Sequence, residues 1–318
     1  MKHFLSVEDV PSVPRLVGAA LEYKADPHKD QMLGQHKTLG MLFLNPSMRT
    51  RISTQVAARN LGMDVIVFNI DKEGWQLEFA DGAIMNGSTA EHVKEAAAVM
   101  GQYFDILAIR TFPTLKNREE DYSENYIQQF VKYAGIPVVS LESATLHPLQ
   151  SLADVVTIKE LWKEKRKPKV VMSWAPHVRA LPQAVPNSFA HWMNTWGEVD
   201  FVIAQPEGYE LNEKYTRGAQ IEYDQDKALE GADFVYVKNW SSYSDYGKIV
   251  CADASWMITA DKLRNTQDAK VMHCLPVRRN VVIADEVLDS ERSIVIREAG
   301  NRVWAAQAVL AELLRMKE

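Results

Sequence analysis

The chain has 318 residues, of which 47% are hydrophobic and 25% are charged, and its formal net charge at pH 7 is −6. This length predicts two domains of about 150 residues each, and the ordinary composition excludes a fibrous repeat and a largely disordered chain. The negative charge argues against nucleic acid as a partner, so any anion site must depend on a local cluster of arginines.

Cys251 and Cys274 are the two cysteines, and they do not form a C-x-x-C pair. Neither a disulfide scaffold nor a cysteine zinc site is therefore expected, and a reducing compartment fits best. The segment Met1–Asp9 becomes acidic before a signal-peptide core could form. Because no apolar run approaches the roughly 18 residues of a membrane span, we expect a cytoplasmic protein without membrane contact.

Apolar runs alternate with helical patterns along the first half of the chain. This alternation predicts a mostly parallel sheet with helices on both faces. The predicted strands are Met41–Leu44, Val65–Ile70, Ile106–Ile109 and Val138–Leu141. The predicted helices are Ser53–Leu61, Ala90–Met100 and Ser123–Ala134.

The second half has the same alternation, so the expected fold class is α/β, with two Rossmann-like domains of parallel sheets covered by helices and joined by interdomain helices. We expect one domain over 1–150 and the other over 151–299, with a helix at 300–318 that packs back on the first. A helix over Leu149–Trp162 ends at the basic run Lys163–Pro168, which is interpreted as a solvated helix end. The predicted strands are Lys169–Ser173, Phe201–Ala204, Phe234–Lys238, Val271–Cys274 and Ser293–Ile296, and the helices are Ser188–Thr195, Asp226–Glu230 and Asn301–Met316.

A short segment after the first predicted strand has the composition of an anion site. It comprises Ser47, Met48, Arg49, Thr50 and Arg51, and it leads into the first helical pattern. Backbone N–H groups and the positive end of a helix dipole favour an anion at such a junction. Two hydroxyls and a planar guanidinium add further donors. The segment therefore predicts a phosphate site.

Three further groups follow predicted strands. Arg110 stands at the sheet edge where open α/β folds bind ligands, and His147 precedes Pro148 at a predicted helix start. Arg110 could equally be a surface residue at a strand end, and a lone histidine in the place of His147 is more often structural. The turn His273–Pro276 presents backbone carbonyls that suit an amine ligand. Cys274 in this turn is interpreted as a small apolar wall and not as a nucleophile.

The ordered set Ser47–Arg51, His147–Gln150 and His273–Pro276 resembles the aspartate/ornithine carbamoyltransferase superfamily over essentially the whole chain. The family's usual Ser-Thr-Arg-Thr-Arg has Met48 in its second position here, which leaves the backbone donors in place. The resemblance implies transfer of the carbamoyl group of carbamoyl phosphate to an amine, without metal or organic cofactor. It implies that carbamoyl phosphate contacts Ser47, Met48, Arg49, Thr50, Trp75, Arg110, His147, Gln150, Cys274, Leu275 and Arg302.

The same resemblance implies roles in the reaction. Arg110, His147 and Thr50 would stabilise the oxyanion, and the carbonyl of Cys274 or Leu275 would orient the amine. The departing phosphate could take the proton, so no dedicated protein base is required.

The expected acceptor is an ornithine with a blocked α-amine. The Asp and the Ser-Met-Gly of ordinary ornithine carbamoyltransferases are absent, and Val235–Trp240 offers Lys238 where an α-carboxylate could be met. This pattern resembles the N-acetylornithine and N-succinylornithine carbamoyltransferase branch. On that resemblance the acylornithine contacts Glu142, His177, Lys238, Arg278 and the loop at Ala90.

Two residues predict the acyl group of the substrate and the sharing of sites between subunits. A Glu is expected in acetyl-preferring enzymes where this chain has Ala90, and a carboxylate there would repel a succinyl group. Trp75 would reach a neighbouring subunit's site in the family's homotrimer. We therefore expect an enzyme of arginine biosynthesis that makes N-succinyl-L-citrulline.

Three alternatives remain open. A one-residue shift at Glu91 would favour N-acetyl-L-ornithine as the acceptor. A protein of another class would bind carbamoyl phosphate without turnover. A nicotinamide dehydrogenase is disfavoured because no Gly-x-Gly-x-x-Gly turn follows an early strand.

Overall fold

The computed structural model describes residues 1–316 and divides the chain into two compact units. The first unit comprises Met1–Thr114, Glu119–Leu149 and the chain from Arg302 onward, and the second comprises Leu115–Arg118 and Gln150–Asn301. The helices are α1 (Val13–Ala25), α2 (Met48–Asn60), α3 (Ile70–Glu73), α4 (Val93–Tyr103), α5 (Arg118–Tyr122), α6 (Asn125–Tyr133), α7 (Pro148–Leu161), α8 (Ala184–Trp196), α9 (Glu213–Thr216), α10 (Gln225–Leu229), α11 (Asp285–Leu288) and α12 (Val295–Arg315).

The strands form two main sheets and one small one, and every pairing between them is parallel. The strands are β1 (Thr38–Phe43), β2 (Asp64–Asn69), β3 (Leu77–Glu78), β4 (Glu91–His92), β5 (Ile106–Arg110), β6 (Val138–Glu142), β7 (Lys169–Trp174), β8 (Asp200–Ala204), β9 (Gln220–Glu222), β10 (Phe234–Lys238) and β11 (Lys270–Met272). The predicted α/β class with parallel sheets is therefore confirmed.

The sheet of the first unit has the order β2-β1-β5-β6. Strands β5 and β6 are buried at every residue, as the near-continuous apolar runs of a doubly covered parallel strand require. Leu107, Ile109 and Phe130 form part of its core and are fully buried. The register pairs Phe43 of β1 with Arg110 and pairs Arg110 with Glu142. The carboxyl ends of three adjacent strands therefore lie at one edge of this sheet.

The sheet of the second unit has the order β11-β10-β7-β8-β9. Its core contains large aromatic side chains, with the Trp174 ring 4.7 Å from Tyr209 and 6.0 Å from Trp256 between centroids. Lys238 ends β10 beside Trp174, which ends β7. The chain segment after Trp174 thus leaves this sheet at the same edge as Lys238.

The part of helix α12 from Arg302 onward belongs to the first unit. Arg315 donates to Asp30 over 2.6 Å, and Gln307 donates to the carbonyl of Pro27 over 2.7 Å. The sequence analysis expected a helix at 300–318 to pack back on the first domain. Positions 317 and 318 of that range lie outside the described residues. Among residues 1–316, the structure has no helix both long enough and apolar enough to span a bilayer.

Several sequence predictions differ from the structure. The helix predicted to begin at Ala90 begins at Val93, after β4. Ser293–Ile296 is not a strand, because Ser293 makes only an isolated bridge to Val271 and α12 begins at Val295. Strand β11 ends at Met272, before the predicted end at Cys274. The exposed edge strand β9 was not predicted. The region Ser123–Ala134, predicted as one helix, begins with a break at Ser123 and Glu124 before α6.

Candidate active site

The Ser47–Arg51 segment forms the start of α2. The helix begins at Met48, five residues earlier than the predicted start at Ser53, and Ser47 is its N-cap. The Ser47 hydroxyl accepts the N–H of Thr50 over 3.4 Å. Because the N–H groups of a first helical turn point toward the N-terminus, the backbone N–H groups of Met48 and Arg49 are directed to where an anion would bind. The Met48 side chain is 69% exposed, so at such a site this residue would contribute its backbone N–H.

Arg302 of α12 completes this end of α2. Its Nη2 donates to the Thr50 hydroxyl oxygen over 2.7 Å, and both residues are buried, at 4% and 0% exposure. The sequence analysis associated Arg302 with the phosphate site only through the family resemblance. The structure brings these two residues together across 252 positions of the chain.

Arg110 and Glu142 form a buried ion pair at the adjacent strand ends. Nη1 of Arg110 contacts Oε2 of Glu142, and His147 Nε2 lies 3.6 Å from the same oxygen. The Arg110 guanidinium also stands over the Phe112 ring, 5.6 Å from its centroid. Arg110 is the last residue of β5 and does not follow it. Glu142, expected among the acylornithine contacts, lies in the first unit with two residues expected to bind carbamoyl phosphate.

Glu124 holds the loop that joins Glu142 to His147. Its carboxylate accepts the Ser143 hydroxyl over 2.6 Å and the Thr145 N–H over 2.8 Å, and it also accepts the Ala144 N–H over 3.2 Å. Burial raises the pKa of Glu124, although these hydrogen bonds oppose the shift. The sequence carried no signal for this residue, since a Glu at a helix start is normally a solvated side chain.

Trp75 and Ala90 lie on one exposed lobe of the first unit. The Trp75 side chain is 59% exposed, and its Nε1 donates to Oε2 of Glu91 over 2.8 Å. The Ala90 N–H donates to the carbonyl of Gln76 over 3.0 Å, next to the short β3–β4 pairing. A large aromatic ring and the position expected to discriminate acyl groups are therefore carried by the same segment.

A cationic cluster lies in the second unit. His177, which follows β7, accepts the Nε–H of Arg278 at its Nε2 over 3.1 Å. Burial lowers the pKa of His177, and the positive charges of Arg278, Lys238 and Arg179 lower it further. The ring is therefore neutral at pH 7 and can accept a hydrogen bond from Arg278. His177, Lys238 and Arg278, which are expected to contact the acylornithine, thus lie close together.

The turn after β11 has a constrained backbone. Leu275 has φ +56°, and the Leu275–Pro276 peptide is cis. The Leu275 N–H donates to His273 Nδ1 over 2.8 Å, while the His273 N–H donates to Glu298 over 2.8 Å. Left-handed φ values are unfavourable for residues with a Cβ and persist only where neighbours enforce them. Cys274 is buried, at 8% exposure, in agreement with a wall position.

Gln150 lies in the second unit, near this turn. Its Nε2 donates to Asp154 over 2.8 Å and to Glu298 over 3.2 Å. The amide nitrogen is thus directed at two carboxyls, which fixes the orientation of the amide. Among residues 1–316, the His, Cys, Asp and Glu side chains form no group of three or more that could hold a metal ion.

Comparison with known proteins identifies the family. Residues 2–160 match the model of the aspartate/ornithine carbamoyltransferase carbamoyl-P binding domain, and residues 183–313 match that of the Asp/Orn binding domain. The chain belongs to the aspartate/ornithine carbamoyltransferase family. It is 51% identical over 316 residues to N-succinylornithine carbamoyltransferase of Bacteroides fragilis strain 638R, with 99% of each chain covered.

More distant family members are also similar over their full lengths. N-acetylornithine carbamoyltransferase of Xanthomonas campestris pv. campestris is 32% identical, with 99% of this chain and 98% of the relative covered. A solved structure of N-acetyl-L-ornithine transcarbamylase has a TM-score of 0.91 at 32% identity, covering 98% of this chain and all of that one. That structure is a Glu-to-Ala variant in complex with carbamyl phosphate and N-succinyl-L-norvaline. The family resemblance predicted from the motifs is confirmed.

Proposed function

We propose that this chain transfers the carbamoyl group of carbamoyl phosphate to the δ-amine of N-succinyl-L-ornithine, giving N-succinyl-L-citrulline and phosphate in arginine biosynthesis. The observation that carries this proposal is the 51% identity to the Bacteroides fragilis N-succinylornithine carbamoyltransferase over 99% of both chains. The side chains of both units support it.

The phosphate would bind at the start of α2. The Ser47 and Thr50 hydroxyls, the Arg49 guanidinium and the backbone N–H groups of the first turn are all hydrogen-bond donors at one helix end. Arg302, held against Thr50, adds a second permanent positive charge. A dianionic phosphate would thus meet both hydrogen-bond donors and positive charge.

The chemical step would be attack by the neutral δ-amine on the carbamoyl carbon. The C–N bond forms, the C–O bond to phosphate breaks, and the phosphate leaves with the electron pair and takes the proton of the amine. Arg110, His147 and Thr50 would donate to the oxyanion that develops. Gln150, whose amide nitrogen is directed at two carboxyls, would present its oxygen to the carbamoyl NH₂. The chain's own residues thus orient and stabilise, without serving as a base.

The amine substrate would bind at the cationic cluster and the His273–Pro276 turn. N-succinyl-L-ornithine has two carboxylates and no α-ammonium. Its binding site therefore needs cationic side chains for the carboxylates and no acidic side chain for an α-ammonium. Lys238 and Arg278 beside a neutral His177 supply such a surface. The carbonyl of Cys274 or Leu275 would accept from the δ-amine, and Glu142 would accept from an N–H of the substrate. The two ends of the acceptor are thereby fixed.

Ala90 supports the succinyl group over the acetyl group. A methyl side chain at an exposed position leaves both room and an uncharged surface for a distal carboxylate. In the related N-acetyl-L-ornithine transcarbamylase, a Glu-to-Ala variant was obtained in complex with carbamyl phosphate and N-succinyl-L-norvaline. We propose that Ala90 plays the part of that substituted residue.

We also propose a homotrimer in which Trp75 serves a neighbouring subunit's site. Its 59% exposure in the single chain supports a role outside its own unit's core. Mixing a Trp75→Ala chain with an Arg49→Ala chain tests this directly. Sharing predicts that mixed assemblies regain part of the activity that each variant lacks, whereas the absence of any regain counts against shared sites.

The experiment that tests the function offers ornithine, N-acetyl-L-ornithine and N-succinyl-L-ornithine separately with carbamoyl phosphate and measures the citrulline product. Turnover with succinylornithine alone is expected. Arg49→Ala should abolish it, while Arg59→Ala, an exposed arginine in the last turn of the same helix, should not. Preference for acetylornithine would overturn the Ala90 argument. Calorimetric binding of carbamoyl phosphate without turnover of any acceptor would indicate a non-catalytic binding protein.

A further inference from the structure

Two carboxyl side chains face each other inside the second unit. Asp154 of α7 and Glu298 of α12 are each 0% exposed. Both accept from the same nitrogen, Nε2 of Gln150, over 2.8 Å and 3.2 Å. In the proposed chemistry neither carboxyl contacts a substrate. Burying a carboxylate is costly unless it is compensated, so this pair requires an explanation.

Glu298 also supports the turn that would orient the amine. Its second oxygen accepts the His273 N–H over 2.8 Å, and His273 Nδ1 in turn accepts the Leu275 N–H over 2.8 Å. Leu275 has the unfavourable φ of +56°. A single carboxyl therefore connects the Gln150 amide to the backbone of a strained turn. Displacing it would disturb both groups.

Several ionisable acids act on the pair. The pKa of Glu298 lies well above its usual range, chiefly because of burial and then because of the charges of Asp154 and Cys274, with the His273 N–H opposing the shift. Tyr236 of β10, also buried, has its pKa raised by burial and by Asp154, Cys274 and Glu298. The pair thus faces Gln150 from α7, Tyr236 from β10, and His273 and Cys274 from the turn. Ionisation of both carboxyls in such a buried site is unfavourable.

We infer that Asp154 and Glu298 share one proton and act together as a positioning pair, which holds the Gln150 amide and the His273–Leu275 backbone in the geometry used for the carbamoyl and amine groups. The effect on turnover depends on the proposed function, whereas the shared proton does not. Glu298→Gln keeps the size of the side chain and removes its ionisation, and its amide oxygen can still accept the His273 N–H.

The first test measures the free energy of unfolding against pH by urea denaturation. A carboxyl that keeps its proton when folded but loses it when unfolded makes folding take up a proton above pH ~4.3. The folding equilibrium constant of the wild type should therefore fall about tenfold per pH unit relative to Glu298→Gln, from about pH 5 up to the folded pKa. Equal slopes in the two proteins would overturn the shared proton.

Asp233→Asn is the matched control for this titration. Asp233, which directly precedes β10, is also a buried carboxyl of the second unit, but it forms an ion pair with Arg166. The control should lose stability without changing the slope between pH 5 and 8. If its slope changed as that of Glu298→Gln does, the effect would not be specific to the pair, and the inference would fail. This readout requires no catalytic activity.

The second test uses turnover. Glu298→Ala should lower kcat/KM for the acylornithine roughly 10- to 100-fold, since displacement of reacting groups by an ångström costs about that much. Glu298→Gln should restore most of this loss and should flatten the alkaline limb of the pH–rate profile. If Glu298→Gln were as impaired as Glu298→Ala, the positioning role would be refuted. An inactive wild type would refute the proposed function instead, and the urea titration would still decide the shared proton.

Discussion

Replacing Glu142 with Gln should destabilise the first unit and should strengthen the interaction of Arg110 with a bound anion. The Arg110 and Glu142 side chains are 11% and 8% exposed, so the pair is buried and its charges are weakly screened. Removing one partner of a buried pair costs about 3–5 kcal/mol. The Gln oxygen can still accept from Arg110 and recovers about 1 kcal/mol. The expected loss is therefore about 2–4 kcal/mol, or a fall in Tm of about 4–16 °C.

The assay is thermal unfolding with and without inorganic phosphate. Phosphate at 100 times its Kd stabilises a protein that binds it by about 2.7 kcal/mol. Its effect should be larger in Glu142→Gln, because a neutral amide oxygen competes with the ligand for Arg110 less strongly than the Glu142 carboxylate does. Glu119→Gln, which changes an exposed carboxylate of the same unit, should leave Tm unchanged. A loss below about 1 kcal/mol, or a variant that gains less from phosphate than the wild type, would refute this reasoning.

Three further outcomes are expected. Ala90→Glu should lower kcat/KM for N-succinyl-L-ornithine relative to N-acetyl-L-ornithine at least about tenfold, since a carboxylate repels the distal carboxylate of the ligand. The pKa of His177, lowered in the free protein, should rise when this anionic ligand binds; calorimetry near pH 6 in buffers of different ionisation heat should show proton uptake that is lost in His177→Gln. Glu124→Ala leaves several buried donors without their carboxylate, so urea denaturation should show a loss of roughly 2–4 kcal/mol, and an unchanged midpoint would contradict the role given to Glu124.

The sequence allowed the fold class to be predicted because parallel strands buried on both faces need long apolar runs. β5 and β6 are such runs, and the functional residues Arg110 and Glu142 stand at their ends. The same reliance on apolar runs made the strand prediction for Ser293–Ile296 wrong. Its β-branched residues have the composition of a strand, but packing makes Val295 the first residue of a helix. Tertiary contacts override local propensity there.

The motifs supplied the proposed site residues of each unit but not the side chains that support them. Glu298 occupies the first turn of a helix, where a solvated acid is the normal interpretation. Asp154 lies in a helix that is buried almost all round, and a sequence does not show which polar residue of such a helix has a partner. Glu124 likewise acts through a loop 19–21 residues away. Such pairings between distant positions become visible only in three dimensions.

The bond from Arg302 to Thr50 has a consequence for the form of phosphate that the proposed site at the start of α2 would accept. The Thr50 hydroxyl oxygen accepts from Arg302, and the Ser47 hydroxyl oxygen accepts from the Thr50 N–H. Each hydroxyl proton is thereby directed away from its neighbour and becomes a donor. A fully ionised phosphate presents only acceptors and matches every group at this end of the helix. If phosphate binds here as proposed, a proton on the oxygen that faces this turn would meet a hydroxyl donor, so the turn would favour the dianion over the monoanion.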